Sequence, residues 1–132
     1  MWYIVTQAVE KEPGDSWTYR VTVRYVSGPK VRAMIVAYVE ALPGYGGVQA
    51  WSDYYDWSPG DERTVEIGAV FPPADDYHRY GFEGLVTVNG KITVLGENGE
   101  KYAEREFPGI YVVKVPSLSP TFEIGQPVWQ GV

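Results

Sequence analysis

A chain of 132 residues with 11 Lys and Arg against 17 Asp and Glu has a net charge of −6, and its basic residues are scattered singly, which argues against a nucleic-acid partner. Cysteine is absent, so disulfide frameworks, thiolate metal sites and cysteine nucleophiles are excluded. The length predicts one domain whose core needs neither metal nor disulfide support.

The opening residues, MWYIVTQAVE, contain no basic n-region and no long apolar run, and no segment is long enough to span a bilayer. We therefore expect no signal peptide and no membrane partner, and by default a soluble intracellular protein or one in a particle assembled inside the cell. A first strand is predicted over residues 2–9, ended by the turn Pro13-Gly14-Asp15. Residues 17–26 alternate without a break: Trp17, Tyr19, Val21, Val23 and Tyr25 share one face, and Thr18, Arg20, Thr22 and Arg24 the other. That period of two in β-branched and aromatic residues predicts a half-buried strand.

Residues 31–40 place Val31, Ala33, Ile35, Ala37 and Val39 on one face, while Met34, Val36 and Tyr38 make the other apolar too. A central strand is predicted, paired in a hairpin with the strand before it through Ser27-Gly28-Pro29-Lys30. A Gly-rich loop (Pro43-Gly44-Tyr45-Gly46-Gly47) follows; it lacks the Lys-Ser/Thr ending of a phosphate loop, and we expect it only to join strands. Ser58-Pro59-Gly60-Asp61 predicts a β-turn leading into a strand over 63–71, which Pro72-Pro73 ends.

A strand over 77–88 is expected to be interrupted at Gly81 and Gly84. Asn89-Gly90 predicts a type I′ hairpin in which Val86 faces Thr93 and Leu85 faces Val94. Asn98-Gly99 predicts a second hairpin returning through 102–107, although 100–106 could instead form a helical turn capped by Asn98. A last strand is predicted over 110–115. The whole is an all-β chain, expected as an antiparallel β-sandwich of about 7–9 strands over residues 1–115 with an extended Pro- and Gly-containing tail over 116–132. Sparse Asn and Gln with abundant Pro, Val, Glu and Tyr give it a thermophile-like composition.

The order of features between Trp17 and Val88 resembles the immunoglobulin- and fibronectin III-like sandwiches, most of all the cell-adhesion-related domains of prokaryotes. The features are the alternating strand 17–26, its partner 31–39, the turn Trp57-Ser58-Pro59-Gly60-Asp61 before Thr64-Val65-Glu66-Ile67, and the aromatic strand 77–82. The resemblance implies a module that binds proteins or glycans or acts as a spacer.

Three regions are candidates for function. Trp51, Asp53, Tyr54, Tyr55, Asp56 and Trp57, with Tyr45 from the Gly-rich loop, form a predicted aromatic platform whose carboxylates would bond hydroxyls or amides. The alternative is that Trp51 and Trp57 cap the core while the two Asp residues stabilise turns. In the tail, Phe122, Ile124, Val128 and Trp129 are large apolar residues expected to lie along a neighbouring subunit, to add a strand to an open sheet edge, or to pack back on their own sheet. Asp75, Asp76 and His78 are the only carboxylate pair beside the only histidine; they could hold a metal only with ligands from elsewhere in the chain, or act as a general acid–base pair, but a solvated loop is expected, and no nucleophile elbow occurs. We expect no catalytic residues, no metal and no cofactor. The expected function is protein–protein association or self-association as a structural or assembly component, with carbohydrate binding at 51–57 as the alternative.

Overall fold

The computed structural model describes residues 8–117 and 122–129. Its elements are β1 (Val9–Lys11), β2 (Ser16–Arg24), β3 (Val31–Leu42), β4 (Gly46–Trp51), β5 (Tyr55–Trp57), β6 (Glu62–Val70), α1 (Ala74–Arg79), β7 (Gly84–Gly96) and β8 (Lys101–Val115). The fold is all-β. One sheet has six strands in the order β1-β8-β7-β3-β4, with β5 also on β3, and the other is the pair β2-β6. The expected antiparallel arrangement holds except at one edge, where β1 runs parallel to β8. The strand predicted over 2–9 lies outside the described residues save its end, where β1 begins.

Alternation in β2 does what its residue types demand. Trp17 is buried and Tyr19, Val21 and Val23 are half-buried, while Thr18, Arg20, Thr22 and Arg24 face solvent. In β3 the inward residues Ala33, Ile35, Ala37, Val39 and Ala41 are wholly buried. They form one core with Trp17, Ile67 and Phe71 on the side of the small sheet, Val86, Val88 and Ile92 of β7, and Tyr111, Val113 and Val115 of β8.

Three expectations are corrected. The predicted hairpin of 17–26 with 31–40 does not form: β2 pairs along its whole length with β6, and β3 crosses to the other sheet. β3 is central, with β4 and β5 along one edge and β7 along the other, so it has no edge left for β2. The β2–β6 ladder continues into the connection, where Tyr25 N–H donates to Asp61 O (2.8 Å) and the Tyr25 hydroxyl donates to the Pro29 carbonyl.

The strand predicted over 77–88 begins instead as helix α1. Pro73 is its N-cap, Asp75 and Asp76 lie in its first turn, and His78 and Arg79 in its last, which suits the helix dipole at both ends. Its C-terminus closes with Gly81 N–H on His78 O (3.0 Å) and Phe82 N–H on Tyr77 O (3.0 Å), a Schellman pair made possible by Gly81 at φ +83°.

Asn89-Gly90 is no hairpin turn. β7 runs straight through it, so Val86 lies opposite Val113 and Thr93 opposite Glu104, while Leu85 faces Lys114 and Val94 faces Ala103. The ladder merely shifts register there, between Val88 and Gly90, as it does again between Val94 and Leu95. Asn89 Oδ1 accepts from Gly109 N–H (2.8 Å) across the bulge in β8, and the space beside Gly90 is filled by the Tyr19 hydroxyl and Ile110 Cδ1. The second hairpin, at Asn98-Gly99, forms as predicted, and the return is strand rather than helix: 102–107 and 110–115 merge into the single strand β8.

Candidate functional site

The segment 51–57 is divided by its own chain path. Trp51 ends β4 opposite Val36, projects from the outer face of the large sheet and is 65 % exposed. Ser52 then pins the connection: Ile35 N–H donates to Ser52 Oγ (2.9 Å), Ser52 N–H donates to Ile35 O (2.9 Å), and the hydroxyl donates to Asp53 O (2.8 Å). β5 resumes on β3 and carries Trp57 into the core, 2 % exposed, with Nε1 donating to Ala33 O (3.2 Å). Tyr55 meets Trp57 edge-on at 6.4 Å, and the Arg63 guanidinium lies over both rings at 4.7 and 5.5 Å. Asp56 pairs with Arg32 (3.2 Å), Asp53 is exposed and Tyr54 half-buried. Tyr45 sits in the β3–β4 turn and stacks on Tyr80 at 4.6 Å, with Phe82 edge-on at 6.0 Å. The predicted platform is thus three separate settings: an exposed Trp51, a Tyr55–Trp57–Arg63 stack rooted in the core, and a Tyr45–Tyr80 pair.

Trp51 has different neighbours from those its sequence position implies. Met34, Val36 and Tyr38 of β3 and Leu95 of β7 line the shallow depression beside it, all half-buried. Apolar residues on both faces of 31–40 are the signal of a strand covered on both sides. β3 is central, yet its second face is open, so these residues form a surface rather than a second core. A charge cluster borders the depression. Glu104 accepts from Lys101 (3.0 Å) and Thr93 Oγ1 (3.2 Å), with Lys91 at 3.8 Å, and Lys91 also lies over the Tyr38 ring at 5.5 Å. The Lys101 hydrogen bond, helped by the charges of Lys101 and Lys91, holds the Glu104 carboxyl below its ordinary range.

Of the other candidates, those in α1 and the Gly-rich loop are partly engaged in the fold and those in the tail are exposed. In α1, Asp76 pairs with Arg79 (3.6 Å) and His78 Nε2 donates to the Pro116 carbonyl (2.6 Å), while Asp75 is exposed. Among the described residues no group of three or more His, Asp or Glu side chains is placed to hold a metal ion. In the Gly-rich loop, Gly44 N–H donates to the chain's own Glu40 Oε1 (2.8 Å), occupying a donor that a phosphate would need. In the tail, residues 122–129 have no regular structure, and Phe122, Ile124, Val128 and Trp129 are 85–95 % exposed. No helix among the described residues is long and apolar enough to cross a membrane. The chain matches no protein-family model, no curated protein and no solved structure.

Proposed function

We propose that this protein is a non-enzymatic module of immunoglobulin-like sandwich architecture that works by protein–protein association, as a structural or assembly component. The observation that carries this reading is the uncovered apolar face around Trp51. An exposed Trp beside half-buried Met34, Val36, Tyr38 and Leu95 supplies the aromatic centre that interfaces favour. Lys91, Lys101 and Glu104 supply a polar rim that can set register with a partner. The sandwich reading is supported by two sheets that share one core, with Trp17 and Ile67 on one side and Ile35 and Val39 on the other.

The test uses Trp51 alone, because truncating the buried Trp57 would threaten folding. Wild-type protein and Trp51→Ala are immobilised and exposed to native extract of the source cells, with circular dichroism checking that both are folded. A defined protein held by the wild type and lost at least tenfold by the variant supports the reading; equal retention by both removes the Trp51 face from it. A second reading, carbohydrate binding, is favoured by the Gln49 amide and the Glu104 carboxylate, which line the same depression as Trp51. It predicts an oligosaccharide-dependent change in Trp fluorescence that Trp51→Ala abolishes.

A further inference from the structure

The small sheet is unfinished on one side. Among the described residues β2 pairs only with β6, and no strand lies along its other edge. Tyr25 N–H donates to Asp61 O and Phe71 N–H to Asp15 O, so the odd-numbered positions turn their backbone groups toward β6. Thr18, Arg20, Thr22 and Arg24 therefore present theirs to the open edge. Two hollows follow that edge end to end. One is lined by Tyr19 and Val21 with Ile92, Phe107 and Ile110, and the next by Val23 and Tyr25 with Val94 and Tyr102. Both are mainly apolar and lie between β2 and residues of β7 and β8, and the stretch of β2 from Tyr19 to Tyr25 that they flank is about 24 Å long at ~3.4 Å per residue.

We propose that residues 122–128 of a second copy of this chain add to β2 as a strand and fill these hollows. The proposal rests on the association reading above and specifies a partner for it. Four features of the segment fit. Phe122, Ile124 and Val128 share one parity with Gln126, so a strand puts all three apolar side chains on one face. All three are at least 85 % exposed on their own domain, which leaves them free for another. The segment equals 19–25 in length, and laid parallel with Phe122 at Tyr19 it brings Glu123 opposite Arg20 on the solvent face, an opposite-charge cross-strand pair.

The fourth feature is Pro127, and it selects the direction. In a parallel pair the open-edge groups of Arg20, Thr22 and Arg24 bond to residues flanking the one opposite, which are the inward-facing Phe122, Ile124, Gln126 and Val128. Pro127, of the other parity, then points its missing N–H to solvent, where proline is tolerated. An antiparallel strand with the same inward face would set Pro127 in the ladder and lose a hydrogen bond.

The cysteine-free chain suits a cross-linking test. In the proposed register Thr22 lies opposite Gly125, and nothing lies within 4 Å of a Cβ built at Gly125. Full-length Thr22→Cys and Gly125→Cys proteins are mixed under mild oxidation, and wild type and Ile124→Arg are sized by light scattering. We expect a disulfide-linked heterodimer, a wild-type mass of at least two chains, and a mass of one chain for Ile124→Arg. A Thr22→Cys/Gly125→Cys chain that instead cross-links to itself at the mass of one chain overturns the second copy in favour of the chain's own tail. No cross-link, with a mass indifferent to Ile124→Arg, overturns strand addition altogether. Loss of assembly by Trp51→Ala in that last case would leave the association reading standing without this edge. A single-chain mass throughout, with no partner captured by the Trp51 face, would remove both.

Discussion

Gly90 shows how one residue can join the two sheets. A Cβ built there would fall on the Tyr19 hydroxyl and against Ile110 Cδ1, one belonging to β2 and the other to β8. Only a residue without a side chain lets the Tyr19 ring reach across the core to lie over Tyr111 with centroids 6.1 Å apart. Gly90→Ala should therefore push Tyr19 out of place. We expect a loss of about 1–3 kcal/mol in unfolding free energy, as for overpacked core sites. Urea denaturation measures it, and an unchanged midpoint would mean that the neighbours move aside freely. Trp51 and Trp57 make a second contrast at this scale. The tryptophan that ends β4 faces solvent, whereas the one on β5 donates its indole N–H to Ala33 O inside the core. The residue type alone distinguishes nothing; the Ser52 bonds that reset the chain between β4 and β5 decide it.

At the level of elements, what the sequence revealed was whatever local pattern determines. The alternation of 17–26 needed only a buried face to become β2, and Asn98-Gly99 needed only Gly99 at φ +85° to become a hairpin. The same dipeptide at Asn89-Gly90 carries the same local signal, but Tyr19 from a distant strand occupies the space, and the Asn89 amide is drawn across to Gly109 N–H. The pairing of β2 with β6 is likewise invisible locally, since their partners stand some 38 to 54 positions apart (Arg24 with Glu62, Ser16 with Val70). Helix α1 was missed in favour of a strand: Pro73 and the acidic first turn are helix-start signals, but at six residues the helix is too short for its periodicity to show. Of the candidate residues, Trp51 and the four tail residues are exposed, but their sequence left this open, since it allowed Trp51 as a core cap and the tail packed on its own sheet just as well. The open second face of β3 was not legible, because apolar residues there read as core. The Schellman closure of α1 gives a prediction: Gly81→Ala forces a side chain into the left-handed region and should cost about 1–2 kcal/mol in thermal or chemical unfolding. Gly99→Ala, at φ +85°, should behave similarly, whereas a substitution at Gly125 should cost nothing measurable.

Across the whole molecule the joint between the sheets is aromatic, and this makes its strength depend on pH. Trp17 and Tyr19 meet at 5.2 Å, Tyr19 lies over Tyr111, and Phe71 meets Tyr111 edge-on at 5.3 Å, so both sheets contribute rings to one cluster. Burial raises the Tyr19 hydroxyl well above its ordinary value, with the neighbouring Tyr111 adding to it, and burial alone raises Tyr111. Tyr77, the buried residue of α1, is pushed up to about 12 by burial. In the unfolded chain these groups lose their protons near pH 10, while the folded protein retains them. Above that pH the unfolded state binds fewer protons than the folded one, so stability is complete below pH 10 and falls as pH rises toward 12. Each such tyrosine contributes a slope of up to about 1.4 kcal/mol per pH unit in that window. Denaturant midpoints should accordingly be level from pH 8 to 9 and drop steeply above 10, in step with tyrosinate absorbance. Tyr77→Phe, which removes one titrating group and leaves the ring, should make the drop shallower, and a wild-type midpoint unchanged at pH 11 would refute a joint closed by neutral buried tyrosines.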